Sequence, residues 1–202
     1  MSADPTPRRV LGIDPGTRLL GWGVVEQRGR AYVVLGHGVL RAKARDDLPT
    51  RLGVLSVGLR EVVRTHQPTE AAIEETFHGR SARAALSLGE GRGAAIVVVA
   101  EAGLPVTGYA NNVVKRAVTG AGRAGKERVQ AMVMRLLGLA EQPETLDASD
   151  ALALALCHLQ QAGSGVLGGG SRGQTAAAPG ISPRIAAALR AADRAGRPPR
   201  RP

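Results

Sequence analysis

Four acidic residues stand where an apolar run ends or a helical pattern begins. Asp14 closes VLGID, Glu74 closes AAIE, and Asp147 and Asp150 open LDASDALALAL. Each has an ordinary explanation taken alone. Asp14 could start the turn at Pro15 and Gly16, and Glu74 could be a solvated strand end. Asp147 and Asp150 have the i, i+3 spacing of a capping box and complement a helix dipole. Chemistry enters only if the four are brought together. Clustered carboxylates repel one another unless a cation neutralises them, and hard oxygen ligands select Mg²⁺ or Mn²⁺. Two such ions, roughly 3.5–4 Å apart, are the usual device for in-line displacement at a phosphodiester. His37, His66, His78 and His158 are scattered without zinc spacing, and each reads as structural or solvated.

The elements around these acids can bring them together. Apolar runs at 10–14, 19–26 and 30–40, separated by Pro-Gly-Thr and Gln-Arg-Gly, predict three strands in an antiparallel meander. Leu52, Leu55, Leu59, Val62 and Val63 recur at helical spacing over 48–66, and Pro68 closes that helix. A short strand at 71–74, a helix at 84–102 and a strand at 104–109 follow, then helices at 111–119, 126–137 and 147–160. The order βββαβαβ followed by helices predicts an α/β fold, a mixed five-stranded sheet flanked by helices. If the first and fourth strands pair in parallel, their carboxyl ends set Asp14 beside Glu74. The ALALAL stretch alternates like a strand, but Ala and Leu favour helix, and Leu152, Leu156 and Leu159 still share one face. Gly89, Gly91 and Gly93 weaken the helix they occupy, so close approach of another backbone is one reason for them, with plain flexibility as the alternative.

Composition limits the partners. A net charge of +10 in 202 residues fits a polyanion such as nucleic acid. Residues 163–202 hold seven arginines and one aspartate, and so carry six of those ten charges. This segment is nearly all Gly, Ala, Pro, Ser and Arg, too poor in apolar mass to pack, which predicts one folded domain over 1–162 and a disordered basic tail with a short helix near 185–194. Within the domain, Lys115, Arg116, Arg123, Lys126, Arg128 and Arg135 crowd two consecutive helices, with Glu127 the only acid among them. Beside a phosphate-cleaving site they read as DNA contacts. Four aromatic residues are too few for a multi-base stacking platform, so Phe77, in the polar loop ETFHGR, stands out. The lone Cys157 precludes an internal disulfide and suits a reducing cytoplasm. The longest apolar stretch, 94–100, falls far short of a membrane helix.

GIDPGT, DDLPTRL, AAIEETF, SLGEGRGAA, VVKRAVTGAGRAGKERVQAMV and LDASDALALAL, in this order and spacing, resemble the RuvC family of Holliday-junction resolvases over roughly residues 10–160. The resemblance implies a ribonuclease H-like fold, a homodimer built on the glycine-rich helix, and paired metal-dependent nicks at a four-way DNA junction. It assigns the catalytic, metal-holding acids as Asp14, Glu74, Asp147 and Asp150, and leaves Glu75 out. It places Lys115 and Lys126 at the scissile strand, makes Phe77 a wedge at the junction, and adds a branch-migration motor complex as a partner. The basic tail departs from the pattern. Two other readings compete. Asp-Pro-Gly-Thr also resembles the phosphate loop of actin-like ATPases, which need a second large lobe. A non-catalytic junction binder is the other, and the presence of all four acids argues against it.

Overall fold

A computed structural model describes residues 7–75 and 82–163. Phe77 and the tail, with its expected short helix, lie outside the described residues.

The chain runs β1 (Arg8–Asp14), β2 (Leu19–Arg28), β3 (Ala31–Arg41), α1 (Leu48–His66), β4 (Glu70–Glu75), α2 (Ala82–Glu101), β5 (Val106–Ala110), α3 (Asn111–Thr119), α4 (Lys126–Leu137) and α5 (Leu146–Gly163). Within the described residues the expected elements form, several a residue or more longer than their apolar runs because strand pairing continues through polar positions, while β5 begins at Val106 rather than 104. Arg28, for example, still pairs with Ala31 across a turn whose Gly29 takes a positive φ of 61°. The ALALAL stretch is helical.

The sheet order is β3-β2-β1-β4-β5. The first three strands are antiparallel neighbours, while β4 pairs in parallel with β1 and β5. Side-chain alternation divides the core in two. Leu11, Ile13, Ala71 and Ile73 pack with Leu55 and Leu59 of α1 and Val98 and Val99 of α2. Val10, Val25 and Ala72 face Val114 of α3, Val129 and Val133 of α4, and Leu152 and Leu156 of α5. The sheet is thus the middle of three layers, and both faces are buried.

One helix lies unusually close to the sheet. A Cβ added to Gly12 would sit 1.9 Å from the Ala151 carbonyl oxygen, one on Gly21 would sit 2.1 Å from that of Asp147, and one on Gly23 would meet the Leu152 side chain at 2.7 Å. These strand glycines let the α5 backbone rest directly on β1 and β2, a common reason for Gly inside a strand. The helix glycines behave differently from one another. Gly91 presses on the Gly16 carbonyl oxygen, with a Cβ there only 2.6 Å away, whereas among the described residues nothing lies within 4 Å of a Cβ at Gly89 or Gly93.

Candidate active site

The period-two alternation of β1 and β4 decides where the acids go. Val10 and Ala72 face α5, and Leu11, Ile13, Ala71 and Ile73 face α1 and α2, so Asp14 and Glu74 both fall on the α5 side. The parallel register pairs Ile13 with Ile73, one residue before each acid. Glu75, one step further, turns to the other face, beside Gly108. On α5, Asp147 and Asp150 occupy the first turns, and the contact of Asp147 with Gly21 sets them over the same end of the sheet. The carboxyl ends of parallel strands are where α/β sheets generally place their chemistry.

Electrostatics confirms the convergence. Burial pushes the Asp14 carboxyl up to about 8, helped by the negative charges of Glu74, Asp150 and Asp147 and by a hydrogen bond with the Glu74 carboxyl. Asp150 is also raised, chiefly by burial. The charge of Lys126 opposes that shift, Glu74 and Asp147 add to it, and Lys115 again opposes it. Asp14 and Asp150 both feel the charges of Glu74 and Asp147, and two basic residues act on Asp150. Among the described residues, no three His, Cys, Asp or Glu side chains close into a ready-made cage for an ion. The donor set is nevertheless all hard oxygen, and a carboxyl raised by burial and by its acidic neighbours marks a centre short of positive charge. The residues fit a divalent cation.

Two strand tips are held from behind. The Arg92 Nε of α2 donates to the Glu74 carbonyl oxygen at 3.1 Å, and the Arg51 Nε of α1 donates to that of Thr17 at 3.0 Å. Thr17 and Ser87 hydroxyls meet at 3.1 Å. At the front, the Asn111 Nδ2 donates to Glu74 Oε1 at 2.9 Å.

The sequence profile described as Crossover junction endodeoxyribonuclease RuvC matches residues 10–158. The chain belongs to the RuvC family. A RuvC of Shewanella loihica is 48% identical over 149 residues, 74% of this chain and 85% of that protein. One of Pseudomonas fluorescens is 50% identical over 149 residues, 74% and 84% of the two chains. Among solved structures, Thermus thermophilus RuvC in complex with a Holliday junction substrate is similar with a TM-score of 0.74 and 38% identity, covering 78% of this chain and 96% of that one. This RuvC-family chain has the ribonuclease H-like architecture that the resemblance implied, on the mixed five-stranded sheet that its element order predicted.

The basic residues divide by distance from the acids. Lys115 and Lys126 act on Asp150, whereas Arg123 and Arg128 are exposed around the start of α4. Arg116 lines an open groove of about 380 Å³ with Val113, Ala117, Gln160 and Gln161. Sequence reasoning passed over Gly12, Gly21, Arg92 and Asn111. A Gly within an otherwise apolar strand was a usable signal for the first two; nothing local marked the others. Cys157 is buried, its thiol pushed up to about 11 by that burial, as expected of a packing residue.

Proposed function

We propose that this chain resolves four-way DNA junctions by hydrolysing phosphodiesters in two strands, and that Asp14, Glu74, Asp147 and Asp150 are its catalytic residues. The observation that carries this reading is the meeting of four acids from β1, β4 and α5 at one end of the sheet, with Asp14 held protonated to about pH 8 by burial and by the other three. These four carboxylates would hold Mg²⁺ or Mn²⁺, two ions per site. When bound, the ions supply an activated water and stabilisation of the leaving oxygen.

The remaining work belongs to the chain. The rigid tips of β1 and β4 fix two carboxylates, and α5, seated on glycines, fixes the other two. Lys115 and Lys126, close enough to act on Asp150, meet the phosphate of the scissile strand. Arg116, Arg123 and Arg128 contact the backbone of the junction arms, an interaction that weakens steeply with salt. Phe77, just past Glu74 in sequence, unstacks bases at the crossover. A second copy of the chain supplies the second cut, docking through the outer face of α1 and α2, where Val54, Val57, Leu86 and Val97 are exposed and Gly89 and Gly93 are open. A branch-migration motor presents the junction in the cell, and the work is cytoplasmic.

The test uses a synthetic four-way junction and a linear duplex of the same sequence, each with Mg²⁺, Mn²⁺ or EDTA. Paired nicks confined to the junction, and abolished by EDTA, are expected. Tight junction binding without nicking at any metal concentration would leave the chain a binder rather than a nuclease.

A further inference from the structure

Asn111 opens α3, yet it does not serve that helix. The N-cap position is Ala110, and no side chain caps the helix start. The Asn111 amide reaches instead across to β4, where Nδ2 lies 2.9 Å from Glu74 Oε1. A carboxylate is acceptor-only, so the atom facing it must be the NH₂ group. The placement follows from the sheet, because β5 pairs with β4 through Glu74 and Tyr109 and through Glu75 and Ala110, and the chain enters α3 directly afterwards. One turn further along the same face, Lys115 acts on Asp150.

The chemical type of this donor matters. At the opposite end of β4, Glu70 is held by the guanidinium of Arg8, which cancels its charge. Asn111 is neutral. It limits where the Glu74 carboxylate points while leaving its negative charge in place. The Arg92 Nε meanwhile holds the main-chain carbonyl of the same residue at 3.1 Å, so backbone and side chain of Glu74 are fixed by separate contacts from α2 and α3.

We propose that Asn111 is a positioning residue for the reaction, aiming the Glu74 carboxylate at the metal-holding centre without neutralising it. The proposal rests on the reading of Glu74 as a metal ligand. Partners that orient a ligating carboxylate commonly contribute about 10- to 100-fold in metal affinity or activity, and an exposed amide making one bond belongs at the lower end.

The experiment compares full-length wild type, Asn111→Ala, Asn111→Gln and Glu74→Gln. Mn²⁺ binding to the DNA-free protein is measured by calorimetry, junction nicking is measured across a Mn²⁺ titration, and thermal stability is measured in EDTA. Asn111→Ala is expected to weaken Mn²⁺ binding and raise the Mn²⁺ needed for half-maximal nicking by about tenfold, while nicking at saturating Mn²⁺ approaches wild type and the melting temperature is unchanged. Asn111→Gln, which keeps the donor on a longer arm, should fall between. An unchanged Mn²⁺ dependence in Asn111→Ala overturns the assignment, as does a uniform loss of nicking at every Mn²⁺ concentration with a lower melting temperature. Glu74→Gln separates the two levels of inference. If it retains Mn²⁺ binding and nicking, the underlying reading of the site fails. If it loses both while Asn111→Ala matches wild type, the role of Asn111 alone fails.

Discussion

The same three elements, β1, β4 and α5, surround carboxylates at both ends of the sheet and treat them in opposite ways. At the amino end of the strands, Arg8 Nε and Nη2 lie 2.5 and 2.9 Å from the two oxygens of Glu70. His158 Nε2 donates to Glu70 at 2.7 Å, and its Nδ1 lies 2.8 Å from the Tyr109 hydroxyl, which donates to it when the ring is neutral. Burial works to raise Glu70, but the hydrogen bonds from His158 and Arg8 outweigh it and hold the group at about 2. Nearby Glu26, almost fully buried, is lowered by hydrogen bonds from Arg9 and Arg28. At the carboxyl end the balance reverses, and Asp14 is pushed up to about 8. One end satisfies its charges within the chain, while the other leaves Asp14 raised among like charges, as the proposed metal site would require. Strained electrostatics of the second kind is a mark of function rather than of stability.

The sharpest way to break this contrast is to neutralise one acid at each end. Asp14→Asn is expected to reduce junction nicking to background while leaving the protein folded and junction binding largely intact. Glu70→Gln should do the reverse. It removes the charge that Arg8 and His158 are built around, lowering stability by about 1–3 kcal/mol, while nicking per folded molecule persists. Chemical denaturation and single-turnover nicking of both variants provide the check. If Glu70→Gln abolished nicking without loss of stability, the two ends would not be functionally distinct.

A second test acts on the seat that carries α5 to both ends. Gly21→Ala drives a methyl group to within 2.1 Å of the Asp147 carbonyl oxygen, so the first turn of α5 must move. A cost of about 1–3 kcal/mol is typical of such overpacking, and nicking should fall with it because Asp147 moves. Gly53→Ala, in α1 with none of the described residues within 4 Å of the added carbon, should instead be neutral or slightly stabilising. Equal effects from the two substitutions would mean that the glycine seat does not position the site.

This seat also explains which parts of the molecule were legible in the sequence. The strands and helices were, because apolar periodicity follows directly from which faces are buried, and Leu55, Leu59 and Val62 of α1 are buried as their spacing implied. The acids Asp14 and Glu74 were placed correctly because a parallel pair with matched ends leaves little freedom. The compensated end was not foreseen. Arg8, Glu70, Tyr109 and His158 are separated by up to 150 residues, and a long-range polar network has no periodic signature. Within the single chain, the close approach expected of the α2 glycines is met at Gly91, whose contact with Gly16 depends on how α2 lies across the β1–β2 loop rather than on anything local.

A smaller effect, with opposite signs at the two ends, is expected from pH in metal-free protein. Asp14 ionises at about 8 in the folded chain, against an ordinary value of 3.8. As pH rises from about 4 to 8 the unfolded chain releases this proton while the folded chain keeps it, so the group's contribution to stability falls over that window. For Glu70, folded at about 2 against an ordinary 4.5, the contribution is fully present above pH 4.5 and is lost as pH falls through about 2. In EDTA, Asp14→Asn should therefore gain in melting temperature over wild type, and the gain should be larger at pH 8 than at pH 5. A difference that stayed constant between those pH values would show that Asp14 is not raised.

The smallest expected effect sharpens the contrast at a single atom. Ser149 sits between Asp147 and Asp150 and is 2% exposed, and its hydroxyl is the buried side-chain polar atom, among the described residues, without a hydrogen-bond partner. At the other end of α5, the polar atoms of His158 are both engaged. A buried hydroxyl without a partner keeps its desolvation cost with nothing to offset it, and alanine is also the better helix former. Ser149→Ala should therefore stabilise the protein by about 1 kcal/mol, a rise of about 2–4 °C in melting temperature for a domain of this size, and should leave nicking unchanged because the neighbouring carboxylates keep their places. If Ser149→Ala instead lowered the melting temperature, its hydroxyl would have a partner in solution. If it reduced nicking at unchanged stability, that partner would belong to the catalytic centre, and the end of α5 that carries Asp147 and Asp150 would be more completely satisfied than its carboxylates suggest.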